Sequence, residues 1–228
     1  MTPPRSRLRV LYPVALLWLS VTAALYIRPA IGTLIGAVVI IAVAGSRSFI
    51  RRDPWTLADH ITTTRLGLII IFCAMTLTAP GFNWPATTVG AAALALDGID
   101  GVAARYVGTT ASGAVFDESV DALFILLLGL GLIPLWGVWT ILPGAMYYLF
   151  HAIAFFRPAW RRRLAPSRLR KVIAAAQGIL LLSAGSPVAQ DYWWFGIGCV
   201  GLALVALLFS FGRDVLWLEH AQRQPAPR

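Results

Sequence analysis

A succession of long apolar runs, separated by short breaks rich in Pro and Gly, leaves this chain very few folds. Six runs fall at residues 56–78, 83–106, 113–133, 135–156, 168–184 and 190–212, and two shorter ones precede them at 11–27 and 31–45. A helix needs about 17–25 mostly apolar residues to cross a bilayer, and most of these runs reach that length. The breaks carry Pro80-Gly81, Gly108-Thr109-Thr110, Pro134, residues 158–166 and Gly185-Ser186-Pro187, all of them helix-ending punctuation. Composition agrees: 58% of the 228 residues are hydrophobic and 13% are charged, where a soluble domain carries about 25% charged residues. The expected fold is an all-α polytopic membrane protein with about eight spans.

The expected organisation follows from the same runs. Residues 1–45 form an N-terminal two-helix hairpin. Residues 46–55, with Arg47, Arg51 and Arg52 among apolar neighbours, suit an amphipathic juxtamembrane segment on an anionic leaflet. Residues 56–212 form a six-helix transmembrane core, and 213–228 a cytoplasmic tail, disordered from 220. The first run follows basic residues, as in a signal peptide, but has no clear small-residue cleavage site and leads straight into another run. It reads as retained.

The net charge of +9 has a topological origin. With the N-terminus inside, Arg5, Arg7, Arg9, Arg47, Arg51, Arg52, Arg105, the basic residues of 157–171, Arg213, Arg223 and Arg228 all face the cytoplasm. Outside loops hold only Arg28. That asymmetry is the positive-inside rule and orients both termini inward, as expected of a bacterial inner membrane protein. It argues against a nucleic-acid partner. Cys73 and Cys199 lie within apolar runs and read as buried free thiols.

Against this apolar background, half of the ten acidic residues fall within the stretch DGIDGVAARYVGTTASGAVFDESVD. A carboxylate at membrane depth costs about 2.5–3.5 kcal/mol on insertion scales, so by default it marks function. At about 100° per residue, Asp97 and Asp100 lie about 60° apart on one helix face, and Asp117 and Asp121 about 40° apart on the next. Two adjacent antiparallel helices can therefore direct two carboxylate pairs into one gap, near the cytoplasmic side. Clustered carboxylates repel unless a cation holds them, and hard ions such as Mg²⁺ or Mn²⁺ prefer oxygen. Four can hold two such ions, an arrangement suited to phosphoryl displacement. Gly98, Gly101 and Gly113 let a ligand or backbone approach closely, and Arg105 can neutralise phosphate oxygens. Glu118 reads as a solvated or helix-start charge.

These residues resemble the signature of the CDP-alcohol phosphotransferase family: Asp97, Asp100-Gly101, Ala104-Arg105, then Gly113, Asp117 and Asp121. The spacer from Tyr106 to Ser112 is one residue shorter than is usual in that family. Residues 46–212 are similar to the family's juxtamembrane helix and six-helix core. The stretch TLADHITTTR, ending in Thr64 and Arg65, resembles the polar start of the first core helix, which lines the nucleotide pocket. Lys171 and Gln177 fall where relatives carry a basic and amide pair.

The resemblance implies transfer of a phosphatidyl-type group from CDP-diacylglycerol to an alcohol, with release of CMP. Asp97, Asp100, Asp117 and Asp121 would be metal ligands, and Asp121 also the general base. Gly98, Gly101, Arg105 and Gly113 would meet the cytidine diphosphate. The family also implies a homodimer. Thr62, Thr63 and Thr64 either satisfy backbone groups or reach the nucleotide. Arg168, Arg170 and Lys171 either anchor a helix at the membrane or bind an acceptor phosphate, as in glycerol phosphate or inositol phosphate. The competing reading is a cation transporter with an Asp-lined pathway. A pathway would spread polar groups through the bilayer, whereas these acids crowd one leaflet.

Overall fold

The computed structural model describes residues 5–27, 56–76, 80–107, 110–156 and 168–223. These form α1 (Arg5–Ile27), α2 (Leu57–Thr76), α3 (Trp84–Val107), α4 (Ala111–Trp136), α5 (Leu142–Phe156), α6 (Arg168–Gly185), α7 (Pro187–Asp191) and α8 (Trp193–Arg223), with a 3₁₀ turn at Val138–Ile141. There is no strand among the described residues. The protein is an all-α membrane protein. Among the described residues, three helical stretches are long and apolar enough to cross a bilayer: Leu57–Thr76, Ala111–Trp136 and Trp193–Leu216. The second arm of the expected hairpin and the 46–55 segment lie outside the described residues.

Polar side chains fix where the helices around the acidic stretch begin. Thr56 and Asp59 form a reciprocal capping box at the start of α2. The Thr56 N–H and hydroxyl donate to Asp59 Oδ2 at 2.7 and 2.8 Å, and the Asp59 N–H returns to Thr56 Oγ1 at 3.4 Å. Asn83 caps α3 by accepting the Ala86 N–H at 2.9 Å, just after Gly81 turns the chain with a φ of 77°. Thr110 caps α4: its hydroxyl accepts the Gly113 N–H at 3.1 Å. Each cap satisfies donors that a helix start would otherwise leave unpaired.

The chain divides into two compact units, residues 1–124 and 125–228. In the first, α2 packs against both α1 and α3. Its core holds Leu66, Ile69, Ile70, Phe72, Cys73, Phe82 and Phe124, with the Phe72 ring edge-on to Phe82 and Phe124 at centroid distances of 5.0 and 5.6 Å. Small residues allow the closest approach, as membrane helix packing requires. A Cβ at Gly67 would sit 2.5 Å from the Ser20 hydroxyl of α1.

In the second unit α6 packs along α8. The Trp136 indole N–H donates to the Ala184 carbonyl at 2.9 Å, and its ring fills the space above Gly196. Thr140, fully buried, sets its hydroxyl 2.8 Å from the Gly129 carbonyl and 2.9 Å from that of Gly137. Gly144 of α5 lies directly against the Leu126 backbone of α4. Large apolar side chains face outward on α1 (Trp18, Leu19, Tyr26) and α8 (Trp193, Trp194, Leu202, Val205, Phe209). Tyr26 is 92% exposed; such surfaces suit lipid, not water.

Several element boundaries differ from the sequence expectation, among them the helix expected over 135–156, which begins at Leu142 after the 3₁₀ turn. Pro134 does not end its helix; α4 continues to Trp136. Proline forfeits one N–H, but the Gly137 N–H resumes the ladder to the Ile133 carbonyl at 2.9 Å. The exit comes at Gly137, whose φ of 96° only glycine adopts without strain. The segment expected as one helix over 190–212 is preceded by a separate turn, α7, because Ser186 caps it and Pro187 occupies its first position. The tail expected to be disordered from 220 is helical through Arg223.

Candidate active site

Asp97 stands in the C-terminal half of α3, and Asp117 and Asp121 occupy successive turns near the start of α4. Their separation in sequence vanishes in the fold: one carboxylate oxygen from each lies within 4.8 Å of the others. All three side chains are partly open, at 33, 38 and 43% exposure. Two unit charges this far apart repel by about 3 kcal/mol at an effective dielectric near 20, less where water screens them, so the cluster needs positive charge.

Part of that charge comes from α2. Arg65 is 1% exposed, and its Nη1 lies 2.8 Å from Asp97 Oδ1 and 3.2 Å from Asp117 Oδ1. Its Nη2 pairs with Asp121 Oδ1. Three carboxylates against one guanidinium leave an excess of two negative charges. An all-oxygen donor set of that charge fits a hard divalent cation. The Arg65 Nε, buried, has no hydrogen-bond partner among the described residues.

Asp100, Gly101 and Arg105 follow Asp97 on the last two turns of α3; their side-chain positions lie outside the described residues. Gly98 is exposed, and a Cβ there would meet nothing within 4 Å among the described residues. Packing among the described residues therefore does not require glycine at this position. Gly113, in contrast, is buried and gives its N–H to the α4 cap. Glu118 is exposed on α4 and outside the carboxylate group.

On α2, the hydroxyls of Thr62, Thr63 and Thr64 donate to the carbonyls of Ala58, Asp59 and His60 at 3.1, 2.7 and 2.9 Å. The backbone reading of these threonines is thus satisfied. In the other unit, Arg168, Arg170 and Lys171 open α6. Arg170 grips Asp214 of α8 through Nε at 2.9 Å and Nη2 at 3.3 Å. Farther along α6, Gln177 is buried, and its Nε2 has no hydrogen-bond partner among the described residues.

Sequence reasoning placed Arg65 beside the nucleotide and missed its pairing with the aspartates. A signal was present: Arg65 is the single cation within the run 56–78, and the acids needed a counter-charge.

The family model for CDP-alcohol phosphatidyltransferase matches residues 55–217. No curated protein and no solved structure matches the chain significantly. The match takes in α2 through most of α8 and the whole carboxylate cluster with its arginine. The chain thus belongs to the CDP-alcohol phosphatidyltransferase family and is a membrane transferase of substituted phosphate groups.

Proposed function

We propose that this transferase moves a phosphatidyl group from CDP-diacylglycerol to an alcohol acceptor and releases CMP. Asp97, Asp100, Asp117 and Asp121 would hold two divalent ions, Mg²⁺ or Mn²⁺. The observation that supports this most is the convergence of three of these carboxylates within 4.8 Å, beside the open position of Gly98. Bound there, the ions would stabilise charge on the transferring phosphate and orient it for in-line displacement.

The chain's own residues have distinct tasks. Gly98, Gly101 and Gly113 admit the cytidine diphosphate close to the helix backbones, Arg65 and Arg105 meet it with donors and positive charge, and Thr64 meets it with its hydroxyl oxygen as an acceptor. The acceptor oxygen forms a bond to the β-phosphorus, and the bond from that phosphorus to the oxygen bridging toward cytidine breaks. CMP leaves with that oxygen, and Asp121 takes the acceptor's hydroxyl proton. Holding donor and acceptor in fixed orientation supplies much of the rate.

Arg168, Arg170 and Lys171 would bind the phosphate of an acceptor such as glycerol phosphate or inositol phosphate. An anion at Arg170 would compete with Asp214. The 56–212 core works as a homodimer in the bacterial inner membrane, with the acids and both termini toward the cytoplasm. The hairpin (1–45) and juxtamembrane segment (46–55) precede the core, and the 213–228 tail follows it.

The test is CMP release by purified protein given labelled CDP-diacylglycerol, Mg²⁺ or Mn²⁺ and a panel of alcohols that includes glycerol phosphate, inositol phosphate and phosphatidylglycerol. We expect release with one acceptor class, abolished by chelation and cut at least 100-fold in Asp121→Asn. Release with no acceptor, or undiminished release by Asp121→Asn, would defeat the mechanism.

A further inference from the structure

Arg65 makes an unusual set of contacts for a residue assigned to a nucleotide. It is buried on α2, and both of its terminal nitrogens are spent on the oxygens that form the candidate metal centre: Asp97 Oδ1, Asp117 Oδ1 and Asp121 Oδ1. The same three residues each bring one carboxylate oxygen within 4.8 Å of the others, close enough to share an ion. A carboxylate oxygen that accepts a short charge-assisted hydrogen bond has less to offer a cation, and a positive charge fixed beside it repels one. The Nε left without a partner among the described residues shows that this arrangement does not exhaust the guanidinium. Its planar fork is equally suited to phosphate oxygens.

We propose that Arg65 is the internal counter-cation of the carboxylate cluster and competes with the divalent ion for Asp97, Asp117 and Asp121. This rests on the reading of the aspartates as metal ligands. Arg65 stabilises the fold whenever the carboxylates lack an ion, and metal loading loosens its hold and frees the fork for a phosphate. Competition of this kind weakens intrinsic metal affinity, so that substrate, by engaging Arg65, raises it. A purely positioning arginine has the opposite consequence: it aligns the carboxylates, and its removal weakens metal binding.

The two roles separate in metal binding measured without substrate. The full-length protein in detergent or nanodiscs is titrated with Mn²⁺, following free ion by electron paramagnetic resonance, and compared with Arg65→Met and Arg65→Gln. Competition predicts that the neutral variants bind Mn²⁺ at least ten-fold more tightly. It also predicts that they melt at lower temperature in chelator and gain more in melting temperature on Mn²⁺ addition than the wild type does. Arg65→Lys, which keeps the charge, should fall between. Unchanged or weaker Mn²⁺ binding by a folded neutral variant overturns the proposal. Should Arg65→Met not fold, Arg65→Gln, which keeps a hydrogen-bonding amide, gives the same comparison. Absence of Mn²⁺ binding in wild type and variants alike would instead defeat the metal reading itself.

Discussion

At the scale of single residues, glycine separates ligand space from packing space. A Cβ at Gly98 meets nothing within 4 Å among the described residues, although the position adjoins Asp97 of the carboxylate cluster. Within a helix, replacing Gly with Ala removes backbone entropy worth about 1 kcal/mol. Gly98→Ala should therefore leave the melting temperature unchanged or raise it by a few degrees. If the open space is where the donor's diphosphate lies, the same variant should raise the KM for CDP-diacylglycerol by roughly ten-fold or more, since the methyl group would hold the phosphates off the helix. A variant that is both stable and fully active would show that the space serves another purpose. The sequence disclosed this residue because Gly98 directly follows Asp97 within the acidic motif, a relation that is local in the chain. Arg65 was harder. Its partners lie 32 to 56 residues away on two other helices, and no local pattern reports which face of α2 turns toward them.

Between elements, the glycines of the second unit make the opposite case. At Gly144 an added Cβ would overlap the Leu126 backbone of α4, and at Gly129 it would sit 2.5 Å from the Thr140 carbonyl. Backbone on the far side cannot rotate away as a side chain tip does, so the helices must separate. Overpacking of this kind costs about 1–3 kcal/mol, and a close helix crossing in a membrane depends on small residues. Gly144→Ala should lower the melting temperature in detergent by several degrees or more without altering the affinity for Mn²⁺, because the carboxylates belong to the other unit. A Gly144→Ala protein as stable as the parent would mean that the α4–α5 contact yields easily. None of this was readable beforehand. The apolar runs announced the helices, but which glycine meets which backbone depends on rotation about each helix axis. The end of α4 is a case of the same kind. Pro134 suggested a break, yet helical bonding resumes at Gly137, whose positive φ then turns the chain.

For the whole molecule, charge and hydropathy carry information that no contact does. Long apolar runs and the uneven placement of arginine were legible at once, because the bilayer imposes them on every residue in turn. They lead to an orientation that labelling can test. If the acids face the cytoplasm, the turn at Pro80 lies outside and the start of α4 at Ala111 lies inside. The native thiols interfere little, since Cys73 and Cys199 are both buried. Pro80 and Ala111 are exposed, so a cysteine at either can be reached from its own side of the membrane. Pro80→Cys should react with a membrane-impermeant maleimide in intact cells, and Ala111→Cys only after permeabilisation. The reverse pattern would turn the carboxylate cluster away from the cytoplasm, where a CDP-linked donor would be met, and with it the proposed direction of substrate entry. The spacing of Asp97, Asp117 and Asp121 would be untouched by that result. The chemistry belongs to the site, while the side on which it acts belongs to the distribution of arginine along the chain.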